Sequence, residues 1–427
     1  MNTENVMPKI KADCVVIGAG PAGIMAAIVM AERGLSVIVL EKNGMIGRKL
    51  RITGKGRCNI TNNCDFDTLI ANIPGNSKFL YSSLRSFDNH DIVDFFNNAG
   101  LKTVDERGGR VFPASERAAD VAETLKNEAK KKGVKVKYGM TACKILFEKD
   151  GEKIKVCGVK CVENEMTFYA ENVLVATGGL SYPLTGSTGD GYKWAEEAGH
   201  TVIEPKPSLC ALKCSEKWIS EVEGLSLKNV SFRINSANGK NIYTDFGEML
   251  FTHDGVSGPI VLSGSRDAAV NGFKNLTAYI DFKPALSIEK LDERILRDFE
   301  KYSKRQIANA FSDLLPMRLI PVMIKCSGIN PERRVSSVTK QERRALAELL
   351  KNFPLHITGS ASFNEAIITM GGIKTSEINP KTMESKLCKG LYFAGEVIDV
   401  DGYTGGYNLT IAFSTGRAAG MHIHVAK

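Results

Sequence analysis

The chain has 427 residues, of which 43% are hydrophobic and 24% charged, and 56 lysines and arginines against 48 aspartates and glutamates give a net charge of +8. That length exceeds one ordinary hydrophobic core and predicts two or three domains. The composition is that of an ordinary soluble globular protein, and so mild a positive excess over a large surface speaks against a dedicated nucleic-acid binder.

In chain order, the opening "MNTENVMPKIKADCVV" has no uninterrupted apolar run behind a basic start, so no signal peptide is expected. No window approaches 18 consecutive apolar residues, which predicts neither a transmembrane helix nor a membrane partner. Ten cysteines without a secretory signal point to reduced thiols and a cytoplasmic location. The pairs Cys157/Cys161 and Cys210/Cys214 lie on strand-like stretches without histidines at ligand spacing, so buried apolar thiols and no metal site are expected.

Residues 12–41 read as one βαβ unit: a buried strand "CVVI", a helix opened by Pro21 and closed by Gly34, and a second buried strand "SVIVLE". Gly18-x-Gly20-x-x-Gly23 falls between the first strand and the helix. Gly18 allows a tight turn, Gly20 lets backbone approach a pyrophosphate, and Gly23 permits close helix–strand packing. Pro21 and Ala22 complete the turn, and the helix N-terminus offers free N–H groups to phosphate. Glu41 ends the second strand, where an acid accepts hydrogen bonds from a ribose diol. Strand, helix, strand and acid in one register predict dinucleotide binding.

The next stretch, "GRKLRITGKGRCNITNN", carries five cations on a loop rich in Gly and Asn. Because it follows Glu41 and Lys42 directly, it is expected to clamp the cofactor. Arg48, Lys49 and Arg57 are candidates for phosphate or adenosine-side oxygens, and Gly54, Gly56 and Asn59 for backbone and amide contacts farther along the cofactor. Cys58 joins that candidate set, but Cys64 is too far along an Asn-rich stretch to make a helical redox dithiol with it. Helix-like segments follow at 77–100 and near 116–132, then strands as far as "NVLVATGG", where Thr177 and Gly178 offer another close approach for the cofactor.

From about residue 201 short alternating stretches such as "VSFRI" and "LTAYIDF" predict an antiparallel sheet or small barrel over 201–285. Residues 286–354 turn helical, with apolar positions at helical spacing in "SIEKLDERILRDFEKY" and "TKQERRALAELLKNF". Strands and glycines return over 355–427. The expected fold class is therefore α/β: a Rossmann-like domain split into 1–200 and 355–427 around an inserted barrel-like and helical region.

The closing "YFAGEVIDVDGYTGGYNLTIAFSTG" repeats the phosphate-site logic, an apolar strand into Gly395-Glu396 and a glycine turn into a helix. That helix N-terminus can stabilise charge on a reduced flavin, which favours FAD over NAD. Asp399, Gly405, Gly406, Tyr407, Asn408 and Leu409 are the corresponding candidate contacts. No second GxGxxG unit is present, so either NAD(P)H docks transiently on the flavin face as reductant, or the substrate itself reduces the flavin and oxygen or another carrier reoxidises it. For proton transfer the candidates are His253 in "FTHDGVSGP", since imidazole titrates near neutrality, and Tyr182 and Tyr403.

Together, "GRKLRITGKGRCNITN", "ATGG", "GSTGDGY", "FTHDGVSGP" and the closing segment resemble the BaiN-like flavoproteins, also described as aminoacetone-oxidase-like or NAD(FAD)-utilising dehydrogenases. The resemblance spans nearly the whole chain. It implies FAD, a split FAD domain with a barrel-like and helical insertion, and hydride transfer between flavin and a small organic substrate, as enone reduction or amine oxidation. The other readings are a flavin-dependent RNA-modifying enzyme and a flavin redox sensor. A substrate site between flavin and insertion, with His253 leading, is the corresponding expectation.

Overall fold

The computed structural model describes residues 10–151 and 153–424. Two compact units result: residues up to Pro207 together with those from Ile367 form one, and Ser208–Ala366 the other.

The first unit is built on a parallel sheet. Its strands are β1 (Cys14–Ile17), β2 (Val37–Glu41), β3 (Lys135–Tyr138), β4 (Asn172–Val175) and β5 (Leu391–Phe393), in the spatial order β5–β4–β1–β2–β3. Both faces are covered, so β1, β2, β4 and β5 are buried at every position, as parallel strands between helices must be. Helix α1 (Pro21–Glu32) is buried from Ala22 to Met30, which explains why its sequence is apolar all round. Proline at its start gives up an N–H that has no partner there in any case. Helix α2 (Ala118–Lys131) has the opposite pattern, one apolar face with lysines opposite. The last helix, α3 (Tyr407–His422), lies against α1 through small residues. A Cβ on Gly416 would stand 2.3 Å from the Ala22 carbonyl oxygen, and one on Gly420 2.7 Å from that of Ala26.

The second unit contains a closed barrel of Leu212–Cys214, Gly255–Ser257, Asn241–Phe251, Ser226–Asn235, Leu276–Asp281 and Phe353–Ser360, in that order around the ring. Closure leaves no open edge. Inward residues alternate along the strands, and Phe232, Ile234, Phe251, Ile280 and Leu355 fill the interior. The helices Ile288–Lys301 and Lys340–Lys351 contribute Leu291, Ile295, Leu346 and Leu350 to this same core. A capping box starts the second of them: Thr339 N–H donates to Glu342 Oε2 at 2.8 Å and Glu342 N–H to Thr339 Oγ1 at 3.2 Å.

The unit boundaries differ from those expected at 201 and 354. Strand Val202–Ser208 pairs with Ile368–Ile373 in a small sheet of the first unit, and Phe353–Ser360 closes the barrel by pairing with both Leu276–Asp281 and Leu212–Cys214. The helical stretch shares the barrel's core instead of standing apart. No helix among the described residues is long and apolar enough to cross a membrane.

Candidate active site

The cofactor motifs meet at the carboxyl ends of the parallel strands. The chain leaves β1 toward β2 on one side, while β4 adds on the other, so the order reverses between β1 and β4. Ligands of open α/β sheets bind at such a switch point. Gly18 follows β1 there with φ +104°, and a Cβ would stand 2.6 Å from the Ala176 carbonyl oxygen beyond β4. A Cβ on Gly23 would meet the Gly18 oxygen at 2.0 Å. Around a Cβ on Gly20 nothing lies within 4 Å, and α1 has no side-chain cap. Open space over an uncapped helix N-terminus suits a pyrophosphate.

Glu41 is buried at the end of β2. Its Oε2 accepts from Ala19 N–H at 2.9 Å, and Oε1 accepts from Asn43 backbone and side-chain N–H groups at 2.8 and 2.7 Å. Lys42 donates to Thr188 Oγ1 at 2.6 Å and pairs with Asp190 at 3.0 Å. Burial raises the Asp190 carboxyl, but the bonds from Thr188 and Lys42 outweigh it and hold the group below the usual range.

The basic loop distributes its cations. Exposed Arg48 donates to Asn43 Oδ1 at 2.8 Å, beside Glu41. Lys49 turns elsewhere, donating to Ser181 Oγ at 2.5 Å and to Glu396 Oε2 at 2.7 Å. Arg51 pairs with Glu123 at 2.8 Å. Arg57 stacks 4.3 Å from the centre of the Phe112 ring and pairs with Glu106 and Glu116. Gly54 and Lys55 adopt left-handed conformations within the loop, and Gly54, Lys55 and Gly56 are exposed. Cys58 is fully buried, which pushes its thiol up to about 12. A thiol so protonated is not a redox nucleophile at neutral pH. Asn59 Oδ1 is buried without a hydrogen-bond partner, an acceptor left for a polar ligand.

At the C-terminal side, Gly406 caps α3 with φ +104°, and a Cβ there would stand 2.4 Å from the Thr61 backbone. Only glycine lets the turn approach Thr61 so closely. Thr61 Oγ1 and Thr410 Oγ1 share a buried 2.7 Å bond, and Asn62 Nδ2 donates to the Gly405 carbonyl at 3.1 Å. Asn408 closes the glycine loop by accepting from Gly402 N–H at 2.9 Å and donating to the Gly402 carbonyl at 2.8 Å. Tyr407 is buried, and its phenol is pushed up to about 12. Leu409 follows on the same first turn, half-buried. Asp399 accepts from Asn76 Nδ2 at both its carbonyl and, at 3.0 Å, its side chain. Glu396 Oε1 accepts from Ser181 Oγ at 2.8 Å and Thr369 N–H at 2.7 Å.

Of the proton-transfer candidates, Tyr182 follows the exit of β4 in a left-handed conformation, φ +52°, and Tyr403 lies in the glycine loop before α3, its N–H on the Asn72 carbonyl at 2.9 Å. Both belong to the first unit. His253 belongs to the barrel unit, between strands Asn241–Phe251 and Gly255–Ser257, where its side chain is 78% exposed and its Nδ1 lies 3.0 Å from Glu223 Oε2. Thr61, Asn62, Ser181, Thr369 and Thr410 were not singled out by the sequence. Hydroxyl residues inside the Gly-rich motifs were the available signal. Among the described residues no cluster of His, Cys, Asp and Glu is suited to a metal ion.

Residues 12–422 match the family described as HI0933-like protein Rossmann domain. The chain is 31% identical to "Ribosomal RNA dihydrouridine synthase" of Haemophilus influenzae, over 96% of its length and 98% of that protein. It is also 31% identical to "3-dehydro-bile acid delta(4,6)-reductase" of Clostridium scindens, over 95% and 97%. The solved structure of 3-ketosteroid delta1-dehydrogenase from Sterolibacterium denitrificans superposes with a TM-score of 0.54 at 13% identity, covering 97% of this chain and 99% of that one, a likeness of fold. A glycine-lined switch point, a buried acid closing β2 and a second glycine turn on α3 thus belong to an FAD-dependent oxidoreductase. The chain is a member of the HI0933-like Rossmann family, which includes the BaiN-like and aminoacetone-oxidase-like enzymes.

Proposed function

We propose that this protein adds hydrogen across a carbon–carbon double bond conjugated to a carbonyl. FAD, when bound and reduced, would supply the hydride. The site accommodates it: Gly20 and the α1 N-terminus suit the pyrophosphate, Glu41 the ribose, Asn59 Oδ1 a hydroxyl, and the α3 N-terminus an anionic flavin edge. The observation that carries the reading is this crevice in a chain that also resembles, over nearly its full length, a reductase named for a 3-oxo steroid-like substrate. In such an enone the carbonyl draws charge from the double bond, so the β-carbon accepts hydride while the α-carbon takes a proton. Tyr182, Tyr403 and His253 are the candidate proton donors, and NAD(P)H docking transiently is the candidate source of electrons.

A second reading rests on the relatives named for ribosomal RNA dihydrouridine synthesis, from Haemophilus influenzae and, at 29% identity, Escherichia coli. Saturating the 5,6 bond of uracil, conjugated to its 4-carbonyl, is the same chemistry on a base. Anaerobic stopped-flow mixing decides between them. NAD(P)H should bleach the flavin, and a 3-oxo-4-ene steroid should restore its colour at a catalytic rate. Restoration by ribosomal RNA alone selects the second reading, and restoration by neither overturns the proposal. Phenylalanine at Tyr182 or Tyr403, or asparagine at His253, should slow reoxidation about a hundredfold or more if that residue donates the proton.

A further inference from the structure

Lys49 and Glu396 meet across the sheet. Lys49 lies on the loop after β2, and Glu396 lies three residues beyond β5. Strands β4 and β1 separate β2 from β5 in the sheet, and the loop returns over the turn after β1, where Gly47 N–H donates to the Ala19 carbonyl at 2.9 Å. Their side chains nevertheless touch at 2.7 Å. Two neighbours fix where the bridge runs. A Cβ on Gly395 would stand 3.0 Å from Ala22 Cβ on the first turn of α1, and one on Gly178, at the exit of β4, 3.9 Å from Glu396 Oε2. Gly395 thus packs on the first turn of α1 while the Glu396 carboxylate lies at the β4 exit, and these two surfaces flank a dinucleotide in this fold.

The joint is well satisfied. Glu396 accepts from Lys49, Ser181 and the Thr369 backbone, and Ser181 Oγ in turn accepts from Lys49. Side-chain exposures of 21% and 22% make it a partly desolvated pair, less screened than a surface one. The neighbouring Arg48 donates instead to Asn43 Oδ1 at 2.8 Å.

We propose that the Lys49–Glu396 pair, pinned by Ser181, is a latch across the dinucleotide crevice. It opens to admit FAD and closes afterwards, so it governs how fast FAD exchanges. A phosphate-clamping lysine would govern capture instead, because removing its charge slows association. The inference takes FAD at this crevice as given.

The experiment measures FAD release from the holoenzyme into excess apoflavoprotein acceptor, and rebinding by quenching of flavin fluorescence. Lys49→Met and Glu396→Gln should each speed release at least tenfold and leave the association rate unchanged or faster. The exchange Lys49→Glu with Glu396→Lys should restore release to within threefold of wild type. Slower association in Lys49→Met with unchanged release in Glu396→Gln would overturn the latch in favour of a direct phosphate contact. A fall in apoprotein melting temperature with both rates unchanged would reduce the pair to a structural tie. Ser181→Ala, which keeps both charges, guards against variants that fail to fold. It should speed release about threefold, and wild-type release should quicken with added salt; neither change occurring also overturns the proposal. Failure of wild-type protein to hold FAD at all would instead strike at the cofactor assignment.

Discussion

The two units carry their information differently. In the first, chemistry is written in glycines, and small residues at Gly18, Gly23, Gly406 and Gly416 each admit a backbone approach that a Cβ would block. In the second, it is written in periodicity: alternating strands and helical stripes fill one core with Phe232, Phe251, Leu291 and Leu346. A site built on close approach is intolerant of one added methyl. A core built on volume is intolerant of removed ones.

Substitutions can break that contrast. The largest effect is expected for Phe232→Ala, which empties a fully buried position inside the barrel and should cost about 4 kcal/mol of stability. Chemical denaturation should report the loss, while FAD content per folded protein stays at the wild-type level. A parallel loss of FAD affinity would erase the distinction between the units. Gly23→Ala should do the reverse. Its methyl meets the Gly18 oxygen at 2.0 Å, so the turn must distort at about 3 kcal/mol, roughly two decades of FAD affinity. Equilibrium titration of the apoprotein with FAD checks this, and an unchanged dissociation constant would remove Gly18–Gly23 from the binding surface. The smallest effect concerns Cys58. Burial raises its thiol to about 12, so the thiolate is about a thousandth of the population at pH 9. Raising the pH from 7 to 9 should leave it unalkylated, while exposed Cys143 and Cys326 react. Mass spectrometry after iodoacetamide treatment reads the outcome, and rapid Cys58 labelling would sharpen the case for an open loop.

Much of the first unit was legible because its signals are local. The strand–glycine–helix–strand run from Cys14 to Glu41 contains its own register, turn and acid. The unit boundaries were less so. Residues 202–208 pair with a strand more than 150 positions later, and 353–360 completes a ring begun at 212. Such pairings leave no mark in either segment alone. The loop cations show the same limit. Their type and place could be read, but their partners could not: Arg57 meets Glu106 and Glu116, and Lys49 meets Glu396. The threonines at 61 and 410 look ordinary until the fold joins them.

The packing of α3 on α1 has a consequence for biosynthesis. Helix α1 is apolar on every side, and the glycine-notched face that covers it is made almost 400 residues later. At roughly 5–20 residues per second, a nascent chain carries that greasy helix uncovered for about 20–80 seconds. The FAD crevice is also incomplete throughout, since Gly406 and Thr410 are not yet made. Completion of this crevice therefore waits on the last helix, however early the glycine turn after β1 is made.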